Sequence, residues 1–355
     1  MTENTVVRPI IVFGCPRSGT TLLRVMLNAH PRIAIPPETR FMIPAYARRL
    51  QFGDLRSARA RRRLVRFVVD RPDSKFRRFR LDVEQARSDM DAAGPALGDI
   101  FAVPFQGYAA RFDKPRWGDK RPVYYSFLDE LARLFPDAQF VHVVRDGRAC
   151  VASLKRPPFS YPSGAAMATW LNAMSSARDA GRRLGPDRVF QLRYEDLVGD
   201  PERELRRLCD WLGEDYAEAM TAPEEIVDEV VPSGFQQHAQ ISAGVNAGSV
   251  DRWRGELSLD EIGAFEAVAR PLLAEHGYEP VGVQARGRVR RAAFKVALRH
   301  RRYRLRLAAW RFIDRAMSPG PLGRRLPRRA RSGLARWHLR RRLLLLEHRA
   351  PVDDS

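Results

Sequence analysis

The stretch Gly14-Cys15-Pro16-Arg17-Ser18-Gly19-Thr20-Thr21 places two glycines around a cation and a hydroxyl, with two more hydroxyls directly after. This G-x-x-x-x-G spacing lets the backbone curl until consecutive amide N–H groups face one anion. A helix beginning where the loop ends would add its positive terminus to the attraction. Arg17 can grip the same anion as a two-pronged fork, and Ser18, Thr20 and Thr21 can donate to it. Thr20 stands where nucleotide triphosphatases carry lysine. That lysine and its Mg²⁺ answer the charge of a β,γ-phosphate, so its replacement argues for a ligand with a less charged reacting chain. By itself such a glycine pattern favours a plain strand-to-helix turn.

A second anion-binding arrangement supports the first. Arg145 follows the apolar run Gln139 to Val144, and Ser153 lies eight residues later. On a helix that is about two turns, close enough for guanidinium and hydroxyl to meet one phosphate. Two separated sites suggest a ligand with two separated phosphates. The remaining chemistry-bearing residues are read as structural. His30 and His142 have no serine or carboxylate arrangement that would make either a general base. Asp146 and Arg148 fix the loop after the second run, and Trp170 and Trp253 are packing residues. Cys15, Cys150 and Cys209 lack the spacing of a metal site or disulfide framework, which fits a reducing compartment.

The elements that position these groups are read from pattern. Pro9 to Phe13 is an apolar, β-branched run ended by Gly14, as expected of a buried parallel strand. From Thr21 to Leu27 the apolar residues recur at helical spacing until His30-Pro31. Gln139 to Val144 and Val189 to Arg193 read as further strands, and Ala149 to Leu154 and Ala165 to Leu184 as helices. Strands alternating with helices predict an α/β fold: a P-loop-type central parallel sheet flanked by helices, with ligands beyond the carboxyl ends of the strands. Residues 46–116 are rich in arginine and helical patches, without a clear strand, and are assigned to a helical insertion covering the site.

In order and spacing, four segments resemble the sulfotransferases that use 3′-phosphoadenosine 5′-phosphosulfate (PAPS): CPRSGTT, VVRDGRACVASL at Val143 to Leu154, YEDL at Tyr194 to Leu197, and VNAGSVDRWRGEL at Val245 to Leu257. The resemblance spans roughly residues 8–280. The stretch from Arg17 to Arg40, RSGTTLLRVMLNAHPRIAIPPETR, is most similar to protein-tyrosine sulfotransferases and their bacterial relatives. The resemblance implies Glu38 as general base and Lys120, in WGDKRP, as stabiliser of the transition state together with Arg17. It implies that Arg17, Ser18, Gly19, Thr20 and Thr21 hold the 5′-phosphosulfate and that Arg145 and Ser153 hold the 3′-phosphate. Tyr194, Asn246 and Arg252 are further implied nucleotide contacts. PAPS is then a donor co-substrate, and no metal is required because a sulfuryl group carries less charge than a phosphoryl group. The acceptor is a hydroxyl on a carbohydrate, lipid-linked glycan, small metabolite or peptide tyrosine. The cysteine pairs and luminal anchor of the animal tyrosine enzymes are not expected here and the tail after Pro280 is additional, departures that bear on the peptide-tyrosine acceptor and not on the donor.

Charge divides the chain. Residues 281–355 hold 22 of the 62 Lys and Arg but 4 of the 42 Asp and Glu, so +18 of the net +20 lies there and +2 remains for residues 1–280. The sequence is accordingly divided into a sulfotransferase domain, 1–281, and an Arg-rich helical C-terminal extension, 282–355. Arg286 to Met317 and Arg331 to His348 read as two basic amphipathic helices. Across residues 286–349 such a pattern suits an anionic membrane surface, with a solvated appendage packed on the domain as the competing reading and nucleic acid last. A homodimer is a further partner reading. The first residues lack a secretory pattern, and the aliphatic run Leu343 to Leu346 is too short to span a bilayer, so the expected location is cytoplasmic or peripheral to a membrane. Two other functions compete: a P-loop small-molecule kinase using ATP, and an inactive sulfotransferase-like domain that binds membrane or nucleic acid.

Overall fold

The structure, a computed structural model, describes residues 8–231, 241–242, 248, 250–284 and 286–317. Its centre is a five-stranded parallel sheet of order β2-β3-β1-β4-β5. The strands are β1 (Ile10–Gly14), β2 (Ile33–Ala34), β3 (Arg116–Lys120), β4 (Gln139–Val144) and β5 (Val189–Arg193). The continuous apolar run of β1 follows from burial on both faces. Ile11 and Phe13 enter one core with Phe105 and Trp170, while Ile10 and Val12 enter another with Leu23, Leu27 and Leu205. Registers from Ile10↔Gln139 to Gly14↔Val143 and from Ile10↔Gly118 to Val12↔Lys120 bring the ends of β3, β1 and β4 to one edge. The chain leaves β1 toward the β2 and β3 side and leaves β4 toward β5. The carboxyl ends of β1 and β4 therefore border the crevice where such sheets bind ligands.

Sequence pattern located β1, β4 and β5 but neither β2 nor β3. All five residues of β3, Arg-Trp-Gly-Asp-Lys, are buried although three are charged. Each charge has a partner: Arg116 donates to Glu214 at 3.0 Å, Asp119 accepts from the Tyr124 hydroxyl at 2.5 Å, and Lys120 meets Glu38. A strand solvated internally in this way has no hydrophobic signature to read.

Between β2 and β3 the insertion is helical, its longer helices being Ala58–Val69, Val83–Ala92 and Leu97–Ala110. Phe105 stacks on Trp117 of β3 at 5.0 Å between ring centroids, fixing the insertion to the sheet. On the other side, helix Ser163–Leu184 is buried from Ala166 through Ala177, which explains its many alanines and serines. One of its covers is helix Gly287–Met317, whose Val296, Tyr303, Leu307 and Trp310 join the same core as Ile11 and Phe13. Polar pairs fix the register, with His300 Nδ1 2.8 Å from Asn172 Oδ1 and the Tyr303 hydroxyl 2.9 Å from that of Ser176. Asp314, 1% exposed, is bound by Arg49 and Arg133. The abrupt rise in charge after residue 281 is thus no break in packing. The second basic helix expected, Arg331 to His348, lies outside the described residues. No described helix is long and apolar enough to cross a membrane.

Candidate active site

Sterics fix the loop after β1. A Cβ on Gly14 would lie 2.5 Å from the Val143 carbonyl oxygen, and one on Gly19 would lie 2.3 Å from the Tyr194 ring. Gly19 also has φ of 95°, which glycine alone adopts without penalty. The helix that follows, Thr20–Ala29, has no side-chain cap and no acidic residue in its first turn, so its own residues leave its positive end open to an anion. The Ser18 hydroxyl is buried without a hydrogen-bond partner. Arg17 is itself left-handed, with φ of 74°, a conformation that costs a non-glycine residue about 1–3 kcal/mol.

Several contacts hold Arg17 there. Its Nε donates to Ser153 Oγ at 2.9 Å, its carbonyl accepts from Arg145 Nη1 at 3.1 Å, and its guanidinium lies 5.4 Å from the Phe159 ring centroid. Arg145 in turn lies over the Tyr194 ring at 4.2 Å, and its carbonyl accepts from Trp170 Nε1 at 3.0 Å. Arg17 thus reaches Ser153, and Arg145 braces the Arg17 backbone. Burial, with Arg145 and Arg156 nearby, pushes the Arg17 pKa down to about 10.

The supports of this cluster are polar and fully engaged. Asp146 caps helix Gly147–Lys155 by accepting from the Arg148 amide at 2.8 Å, and Arg148 also donates to Glu266 at 2.8 Å. The Asp146 amide donates to Glu195 at 2.9 Å, and Glu195 accepts from the Tyr278 hydroxyl at 2.7 Å. In Tyr-Glu-Asp-Leu, therefore, the tyrosine packs on the loop and the glutamate anchors the turn after β4.

A second cluster faces the loop from the β2 and β3 side. Glu38 follows β2 and Lys120 ends β3; their side chains meet at 2.5 Å, and Lys120 also donates to Thr21 Oγ1 at 3.2 Å. The Lys120 side chain is 3% exposed and that of Glu38 is 32% exposed, so the carboxylate has an open side. Burial raises the Glu38 pKa, but Lys120, Arg121 and Arg40 together outweigh it and hold the group below its usual value. Burial lowers the Lys120 pKa, and Glu38 offsets only part of that. Beside them Asp119 is pushed up to about 6, chiefly by burial, despite the Tyr124 hydrogen bond. Arg78 Nη1 donates to the Glu38 carbonyl at 2.9 Å, tying the helical insertion to this edge of the site.

A sequence model described as the sulfotransferase family matches residues 9–218, more than half of the chain. The chain belongs to the sulfotransferase family. It is 28% identical over 285 residues to a protein-tyrosine sulfotransferase of Drosophila melanogaster, an alignment covering 76% of this chain and 52% of that protein. It is 30% identical over 301 residues to nodulation protein NoeE of Sinorhizobium fredii, covering 76% of this chain and 66% of that protein. The chain therefore spans about half the length of the fly relative and about two thirds of NoeE. Among solved structures, the sulfotransferase domain of the Synechococcus PCC 7002 olefin synthase is 28% identical with a TM-score of 0.51, over 74% of this chain and 96% of that one.

The residues singled out from sequence fall into two groups. Arg17, Gly19, Arg145, Ser153 and Tyr194 form one; Thr21, Glu38 and Lys120 form the other. Ser18 and Thr20 are buried in the loop between them. Arg252 is exposed at the start of a short helix, its carbonyl accepting from the Gly255 amide at 3.2 Å, and the structure does not bring it to either group. Asn246 lies outside the described residues. Sequence reasoning missed Phe159 beneath Arg17 and the polar role of Trp170, which packs on Phe265 and also holds the Arg145 carbonyl. No motif marks either contact; both depend on segments distant in sequence being brought together. His142, stacked on Phe13 and pushed down to about 3 by burial, is a neutral core residue. His30 accepts from the Arg32 amide at Nδ1 and contacts the Asp215 carbonyl through Nε2, so its ring fixes a turn.

Proposed function

We propose that this protein transfers the sulfuryl group of PAPS to a hydroxyl acceptor, with Glu38 as general base. The observation that carries the reading is the Arg17 guanidinium on Ser153, with Arg145 bonded to the Arg17 carbonyl, set across the loop from a carboxylate–ammonium pair that touches the same loop through Thr21. Ser153 and Arg145 would hold the 3′-phosphate. The loop amides, Thr20, Thr21 and the unpartnered Ser18 hydroxyl would hold the 5′-phosphate. Tyr194, Asn246 and Arg252 are proposed nucleotide contacts, Tyr194 with a ring already placed against Gly19.

In the reaction the acceptor oxygen attacks sulfur in line while its proton passes to Glu38. The bond from sulfur to the bridging oxygen breaks, and adenosine 3′,5′-bisphosphate leaves with the electron pair. Lys120 and Arg17 stabilise charge on the transferred group and the bridging oxygen. A carboxylate held below its usual pKa is a weak base until Lys120 turns to the sulfuryl group. That contact weakens the ion pair and raises the basicity of Glu38 when it is needed. Among acceptors, peptide tyrosine draws support from the name of the fly relative, while carbohydrate, lipid-linked glycan and small-metabolite hydroxyls fit the same chemistry. The test measures affinity for adenosine 3′,5′-bisphosphate against ATP, then transfer of labelled sulfate from PAPS to a panel of these acceptors. We expect the bisphosphate to bind more tightly and label to move; tighter ATP binding with no sulfate transfer rejects the reading in favour of a kinase.

A further inference from the structure

Helix Gly287–Met317 has two apolar stripes rather than one. Val289, Ala293, Val296, Tyr303, Leu307 and Trp310 face the protein and are buried. Phe294, Leu305 and Phe312 are 69%, 62% and 64% exposed. At 100° per residue these three fall within about 20° of one line, on the side opposite Tyr303. They are three of the six large hydrophobic side chains exposed among the described residues, so the stripe is a concentration rather than scatter.

The flank of this ridge is basic. Arg299, Arg302 and Arg306 line a cavity of about 490 Å³ together with Tyr161, Thr169 and Asn172 of the neighbouring helix region. None of the three arginines has an acidic partner among the described residues. The helix holds 11 Lys and Arg and one acid, Asp314, which is buried between Arg49 and Arg133 and contributes nothing outside. A second copy of this face would meet it with like charge. Residues 318–355, with ten arginines and three acids, would be repelled in the same way. Nucleic acid would satisfy the arginines and leave the phenylalanines in water.

We propose that this outward face docks on an anionic phospholipid bilayer. Phe294, Leu305 and Phe312 enter the headgroup and acyl boundary, the flanking arginines meet lipid phosphates, and the cavity admits one headgroup. The side chains involved are separate from those assigned to the donor and to the transfer step, so this surface stands or fails independently of the proposed reaction. It is nonetheless near the donor loop: Tyr161 of the cavity packs on Phe159 at 6.4 Å, and Phe159 lies under Arg17.

The experiment is co-sedimentation of the full-length protein with vesicles of phosphatidylcholine alone or with phosphatidylglycerol added. Binding is expected only to the anionic vesicles and should weaken as salt rises. The triple substitution Phe294→Ser, Leu305→Ser, Phe312→Ser should lower partitioning roughly tenfold or more. Arg299→Ala, Arg302→Ala, Arg306→Ala should do so by a similar factor at low salt. All six side chains are exposed, and an unchanged melting temperature establishes that each variant folds. Failure of the full-length protein to bind overturns the proposal. So does wild-type binding by the serine variant, which would assign the affinity to residues 318–355, or tighter binding to RNA that the serine substitutions leave unchanged.

Discussion

Arg17 meets a hydroxyl and an aromatic ring on one side of the loop, with further arginines close by; on the other side Glu38 and Lys120 neutralise each other. The first group strains its own backbone at Arg17, where a buried cation lies beside other arginines, so this residue costs the fold stability and gains by taking up an anion. The second is complete within the protein and needs a ligand to open it. Binding and chemistry are thus assigned to regions with opposite effects on stability, and substitutions can separate them.

The largest effect is expected at the ion pair. Glu38→Gln should lower turnover about 10²–10⁴-fold while leaving affinity for adenosine 3′,5′-bisphosphate intact. Because Glu38 is held below its usual pKa, it stays ionised from neutral pH down through the ordinary carboxylate range. The acid limb of kcat/KM should therefore lie below about pH 4.5, the ordinary glutamate range. The stability this carboxylate contributes is present in full above its unfolded-state pKa and is lost as pH falls through the folded value. Near-wild-type turnover in the glutamine variant, or an acid limb near neutrality, would remove Glu38 from the role of base.

A smaller effect of a different kind is expected in the cationic group. Arg145→Ala should weaken adenosine 3′,5′-bisphosphate by roughly 10- to 100-fold, the worth of a charge-assisted hydrogen bond in a partly buried site. Affinity for adenosine 5′-monophosphate should change little. Calorimetric titration of both nucleotides checks this, and equal losses would mean that Arg145 does not select the 3′-phosphate.

The smallest effect sharpens the comparison most. Arg17→Gly removes both a left-handed non-glycine residue and a partly buried cation, so stability should rise by about 1 kcal/mol, seen as a higher melting temperature. Turnover should fall in the same variant. A lower melting temperature would show that the contacts to Ser153 and Phe159 outweigh the strain.

The contrast between the two groups follows how each could be read. The loop from Gly14 to Thr21 and the turn at Arg145 sit within short contiguous segments. Buried strands there must be apolar and tight turns must contain glycine, so local pattern reveals them. Glu38 and Lys120 are 82 residues apart and meet only because β2 and β3 are adjacent, and neither strand has a readable pattern. Their roles came from resemblance; their contact came from the sheet. Arg17 was assigned to the transferred group and to the phosphates alike, and the side chain's direction, toward Ser153, depended on helix Gly147–Lys155 lying alongside the loop.

The C-terminal helix divides the same way. Sequence alone indicated that residues 281–355 are basic and that 286–317 is helical, because charge and residue pattern are local properties. Two apolar stripes on one helix are equivalent until something packs on one of them. Only the tertiary structure decided that Tyr303 and Trp310 are covered while Phe294 and Phe312 face outward, because burial depends on surfaces brought together from distant parts of the chain.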